Sequence, residues 1–149
     1  KMYQREVLGL SEARAAVEAA LSEASKQPDR PMAIAVVDHQ GELVYCARMD
    51  GAYPLFMHMA INKAYTASRM LRDTATFAER DRELGRELAT WGDDKLTYIR
   101  GGQCIIKPNG GYLPAGKTKG IVVGGIGTSG RVPEEDEEIA LAGLKAMKL

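Results

Sequence analysis

Histidine and cysteine are the scarcest chemistry-bearing residues in this 149-residue chain, with two of each. The histidines are His39 and His58, and the cysteines are Cys46 and Cys104. Two isolated thiols without paired histidines make neither a disulfide framework nor a zinc-ligand pattern, so no metal site is expected. They read as small buried strand residues of a protein in a reducing cytoplasm. An excess of either charge is also missing. Twenty basic residues balance twenty acidic ones, which leaves no net field to draw in nucleic acid. No apolar run reaches the roughly 18 residues that a membrane span needs, and the first residues, KMYQREVLGLSEARAA, carry no signal-peptide apolar core.

What is present is ordinary for a globular protein: 45% hydrophobic and 27% charged residues, enough for one domain over residues 1–149. Ser11 reads as an N-cap, with Val17, Ala20, Leu21 and Ala24 recurring at helical spacing behind it. KQPDRP stops that helix. Met32 to Val37 is an apolar run between turn signals and reads as a buried strand. DHQG turns the chain, and Glu42 to Arg48 returns as the second strand of a hairpin. After the loop MDGAYP, a helix is expected from Leu55 to Leu71. Its stripe of Met57, Ala60, Ile61, Ala64, Ala67 and Leu71 is rich in small residues, which allow close helix packing. Thr76 and Glu79 match a capping box for a third, charged helix ending near Leu88. TWGDDKLTYIRGG reads as loop. QCIIKP, the NGG turn, YLPAGKTKG and IVVGGIG read as two or three further strands, and Pro133 with the acidic run after it opens a last helix carrying Ala140, Leu144 and Met147. Two strand blocks separated by helices predict an α+β layered fold on an antiparallel sheet.

Gly125-Ile126-Gly127-Thr128-Ser129-Gly130 matches the G-x-G-x-x-G pattern of dinucleotide sites, in which glycines admit a pyrophosphate to a helix N-terminus. The surroundings argue against that use. No second strand follows the helix, and Glu134, Glu135, Asp136, Glu137 and Glu138 in the next turn repel a pyrophosphate. The residues do suit a smaller anion. Arg48 ends a strand beside Asp50 and Gly51, where it clamps a carboxylate or pairs with Asp50. Lys63 adjoins the buried stripe, and either binds an anion, acts as a base or snorkels to the surface. Gly127, Ser129 and Gly130 precede a helix, as an anion-binding turn or a plain N-cap. Within the acidic run, Glu135 is a candidate proton-transfer group, although the run also serves the helix dipole.

VVDHQGELVYCARMDGA, AINKAYTAS and GIVVGGIGTSG with DEEIALAGL together resemble the GlcG/HbpS-like family, also called the haem-degrading domain family, over Met32 to Lys145. The resemblance implies a profilin-like fold with a five-stranded antiparallel sheet flanked by helices, assembled into homo-oligomers. It implies a small-ligand or haem-binding protein, with haem or a small anion as partner and no other cofactor. For haem, His58 is the axial-ligand candidate, because a helix presents a ligand rigidly; Tyr65, Tyr112, Met57 and Met59 are weaker choices. Two departures bear on the ligand site. The family's Gly-Gly-x-Pro turn is matched only loosely by Gly110-Gly111-Tyr112-Leu113-Pro114, and Thr128 stands where hydrophobic residues are common. The alternative is a cofactor-independent enzyme of lyase or isomerase type on a small organic acid, with Arg48 and Lys63 on the anion and a carboxylate moving the proton. A third reading is an accessory subunit without a ligand, since fold does not fix function.

Overall fold

An apolar run bounded by turns makes a strand covered on both faces, and Ala33–Asp38 (β1) is buried from Ala33 to Val37. The computed structural model describes residues 1–108 and 120–149. β1 turns through Gly41 into Leu43–Arg48 (β2), with one residue of register shift between Val36 and Val37. Gly102–Pro108 (β3) and Gly120–Ser129 (β4) complete an antiparallel sheet in the order β2-β1-β4-β3. The helices are Leu10–Ala24 (α1), Pro54–Met70 (α2), Thr74–Glu83 (α3) and Pro133–Lys145 (α4). A short 3-10 turn, Leu88–Trp91, interrupts the loop after α3.

Alternation along the strands separates two unlike faces. Ile34, Val36, Ile105 and Ile126 point to one side, where Ala13, Ala16, Val17 and Ala20 of α1 and Ile139 and Ala140 of α4 close the main core. Ala33, Ala35, Gly125 and Gly127 point to the other, beneath α2. On that side glycine is required by proximity: a Cβ on Gly125 or Gly127 would collide with the carbonyl of Ala64 or Ala60. The small residues of the α2 stripe and the glycines of β4 are two halves of one close contact.

Two expectations need correction. Gly9, not Ser11, holds the N-cap of α1; Ser11 lies inside the first turn and bonds the Glu12 carboxylate. The third helix starts at Thr74 and ends at Glu83, so Thr76 and Glu79 do not cap it. Its entry is fixed from β3 instead, because Asp73 Oδ1 accepts the Cys104 N–H at 2.8 Å and Thr74 Oγ1 accepts the Gly102 N–H at 3.1 Å. The sheet has four strands among the described residues. The expected strand in YLPAGKTKG, the NGG turn, the Gly110–Pro114 match and Tyr112 fall at 109–119, outside the described residues.

Candidate functional site

Residues paired directly across an antiparallel sheet point to the same face. Ala33 pairs with Arg48 on one side and Ser129 on the other, while Ala35 pairs with Cys46 and Gly127. The face under α2 therefore carries two rows, Arg48–Ala33–Ser129 and Cys46–Ala35–Gly127. α2 lies over β4, β1 and β3, with β2 at its margin. Its two flanks differ.

The flank toward β3 is sealed. Lys63 is 1% exposed, and its Nζ donates to the Thr128 carbonyl at 2.8 Å and to Asp136 Oδ2 at 3.0 Å. Asp136 reaches in from the first turn of α4, and its Oδ1 accepts the Arg131 N–H at 2.9 Å. Gly101, at φ 119°, leaves room for the ammonium; a Cβ there would stand 3.0 Å from Nζ. Burial pushes the Lys63 ammonium down and the Asp136 carboxyl up from their ordinary values, each opposed by its partner. Cys104 shares this flank. Its Sγ–H donates to the Ala67 carbonyl at 3.2 Å, and burial, reinforced by Asp73, raises the thiol to about 12.

The flank toward β2 is open. Ser68 Oγ donates to the Asp38 carbonyl at 2.6 Å, and Arg69 Nη1 to the Gln40 carbonyl at 3.3 Å, which marks the side of α2 that faces the hairpin. Met57 and Ile61 lie on the Ser68 stripe at spacings of four and seven residues, and His58 lies on the Arg69 stripe at the outer rim. Phe56, Met57, Ile61 and half-buried Cys46 pack around Ala33, Ala35 and Ala60. His58 is exposed, with its Nε2 3.2 Å from Asn62 Nδ2. Arg48 is exposed at the end of β2, and Asp50 is exposed in the loop beyond it without an ion pair to Arg48. Ser129 is 7% exposed, and among the described residues its hydroxyl has no hydrogen-bond partner.

The structure thus brings Arg48, Ser129 and the backbone around Thr128 to one end of the sheet, while the Lys63 amine turns toward α4. Glu135 faces away from this flank: it pairs with Arg30 at 2.6 Å, and that contact holds its carboxyl below the usual range. Gly127 sits under the Ala60 carbonyl, and Gly130, at φ 142°, abuts Met32. These glycines meet protein backbone and side chain, which accounts for the motif without a phosphate. His39 lies in the hairpin turn at the far end of β1, with a buried Nδ1 that has no partner among the described residues. Asp136 and Cys46 are the two residues that sequence reasoning passed over. Asp136 hid in an acidic run, and Cys46 could have been placed beside Arg48 by two-residue alternation alone.

A family model described as haem degrading protein HbpS-like matches residues 8–145. The crystal structure of a double mutant of HbpS from Streptomyces reticuli is 28% identical with a TM-score of 0.79, covering 99% of this chain and 92% of that one. The crystal structure of a PduOC:Heme complex is 25% identical with a TM-score of 0.77, covering 96% of each. A curated relative, the uncharacterized 15.0 kDa protein in the dhaT-dhaS intergenic region of Citrobacter freundii, is 29% identical over 112 residues, which is 74% of this chain and 71% of that protein. Among the described residues, no helix is long and apolar enough to cross a membrane.

Proposed function

This chain belongs to the HbpS-like haem-degrading family, and from that premise we propose that it binds haem on the open flank of α2 and acts as a homo-oligomer. One observation carries the reading: the structure of a PduOC:Heme complex matches the chain over nearly its whole length. The profilin-like description of the fold belongs to the same reading.

The residues on the open flank fit the group. A haem site calls for a donor to iron, apolar surface for the macrocycle and a cation for the propionates. His58 offers an exposed imidazole on a regular helix, with Asn62 beside its Nε2 to bias the tautomer. Met57 and Ile61 supply apolar surface that excludes water, and Arg48 supplies the cation. Bound haem would add an iron centre for ligand or redox chemistry. Lys63, Gly127 and Glu135 are structural in this reading, because each is already committed to protein atoms. Tyr53 and Leu55, exposed apolar residues where α2 begins, suit a contact between copies, and symmetric closure is the usual outcome of such contacts.

Spectrophotometric haem titration of the wild type and His58→Ala tests the site. The expected result is a Soret shift in the wild type that His58→Ala abolishes, while His39→Ala retains it. No shift in the wild type contradicts haem binding, and an unchanged shift in His58→Ala removes His58 as the donor. Sedimentation equilibrium tests assembly; a 16.2 kDa species alone at micromolar concentration contradicts it.

A further inference from the structure

We propose that Arg48 and Ser129 form a two-point clamp for a carboxylate, spanning Ala33 at the end of the sheet. The inference rests on the open flank being the ligand site, and it names which chemical group of the ligand is read there.

The cations around this end of the sheet are almost all committed. Arg30 pairs with Glu135, and Arg100 with Glu134 and Glu137. Arg131 donates to the carbonyls of Ala24, Gln27 and Arg30, and Lys63 is buried against Asp136. Arg48 has no acidic partner among the described residues. It stands on the α2 face, in line with Ala33 and Ser129. Two strand spacings separate Arg48 from Ser129, about 10 Å between backbones. A long guanidinium-bearing side chain and a bound carboxylate together bridge that span.

Ser129 supplies the independent sign of a ligand. Its residue is more than nine-tenths buried, yet among the described residues no protein group bonds its hydroxyl, which still touches solvent and is open to a ligand. The register aims it to the α2 face, toward the Arg48 row. The helix end nearby is also left free. α2 starts at Pro54, one turn before Met57, with no side-chain cap and no acid in its first turn. α4 instead fills its first turn with Glu134, Glu135 and Asp136. An unfilled positive helix end beside an unpaired arginine favours a bound anion. A guanidinium pairs bidentately with carboxylate or phosphate, and the apolar neighbours Ala33 and Met57 favour the singly charged carboxylate, carried on an apolar body. A haem propionate and a free short-chain monocarboxylic acid share this chemistry.

Arg48→Gln and Ser129→Ala separate the sources, with thermal melts confirming that both variants fold. Haem and haem dimethyl ester, whose carboxylates are blocked, are titrated by absorbance, and butyrate is titrated by calorimetry. If propionates are clamped, Arg48→Gln weakens haem by about tenfold or more, Ser129→Ala weakens it less, and neither changes binding of the ester. If free acids are clamped, wild-type protein binds butyrate and Arg48→Gln does not, whether or not haem binds. Failure of haem to bind the wild type counts against the haem reading alone, and the butyrate arm then decides the clamp. Equal haem affinity in all three proteins, with no butyrate binding, overturns the proposal.

Discussion

The two flanks of α2 rest on one sheet face and were made from the same alternation of strand residues, yet they have opposite characters. Toward β3, every polar group near Lys63 is matched: ammonium to carbonyl and carboxylate, Asp73 to the Cys104 amide, Thr74 to Gly102. Toward β2, an arginine, a histidine, a half-buried thiol and an unmatched hydroxyl surround small apolar residues. The cause is where α2 sits. Gly125 and Gly127 lower the floor over β4, and the helix seats there, with β1 and β3 on either side of it. β2 is left at its margin. Close packing bought with glycine on one side thus leaves an open strand on the other, and the proposed ligand site lies on that open side.

Asp136→Ala should have the largest effect on this contrast. It leaves the Lys63 ammonium buried without its counter-ion, an arrangement that costs about 3–5 kcal/mol. Urea denaturation should show that loss. A change within about 0.5 kcal/mol would mean the sealed flank is not held by this pair. Gly127→Ala comes next. Its Cβ would stand 2.6 Å from the Ala64 nitrogen and closer still to the Ala60 carbonyl, so α2 must lift. The expected destabilisation is about 1–3 kcal/mol. If α2 is raised, haem affinity should change too, although no open-flank side chain has been altered.

At neutral pH the smallest effect concerns the thiol on the sealed side. Folding raises the Cys104 pKa from 9.0 to about 12. Between those values the unfolded chain gives up its proton first, so the native state binds more protons and stability falls as pH rises. The stability that Cys104 contributes is complete below pH 9.0 and lost toward 12. The slope is about 1.4 kcal/mol per pH unit at most. Cys104→Ala should flatten the alkaline stability profile relative to wild type by that slope; parallel profiles would place Cys104 in contact with solvent.

Much of this contrast could be read from local pattern. The hairpin from Met32 to Arg48, the small-residue stripe of α2 and the last helix behind Pro133 all follow from spacing and turn chemistry. The α+β layering followed from their order. Helix entries were less legible where tertiary contacts replace caps: α3 is set by Asp73 and Thr74 reaching to β3, which no local signal encodes. The site divided along the same line. Arg48 and Ser129 share a row because two strand ends meet at Ala33, as antiparallel pairing allows. Lys63 read as a cleft cation because its partner lies 73 residues away, in an acidic run that looked like dipole compensation. The glycine motif was ambiguous for a related reason: close approach to backbone and close approach to phosphate ask for the same residue.

Thiol footprinting of the two cysteines tests the open flank as the haem site most directly. Iodoacetamide modification of the free protein, followed by mass spectrometry, should label Cys46 and spare Cys104. With haem at saturation, judged by the Soret band, Cys46 labelling should slow several-fold while Cys104 stays unlabelled. An unchanged Cys46 rate under saturating haem would place the ligand elsewhere and contradict the account.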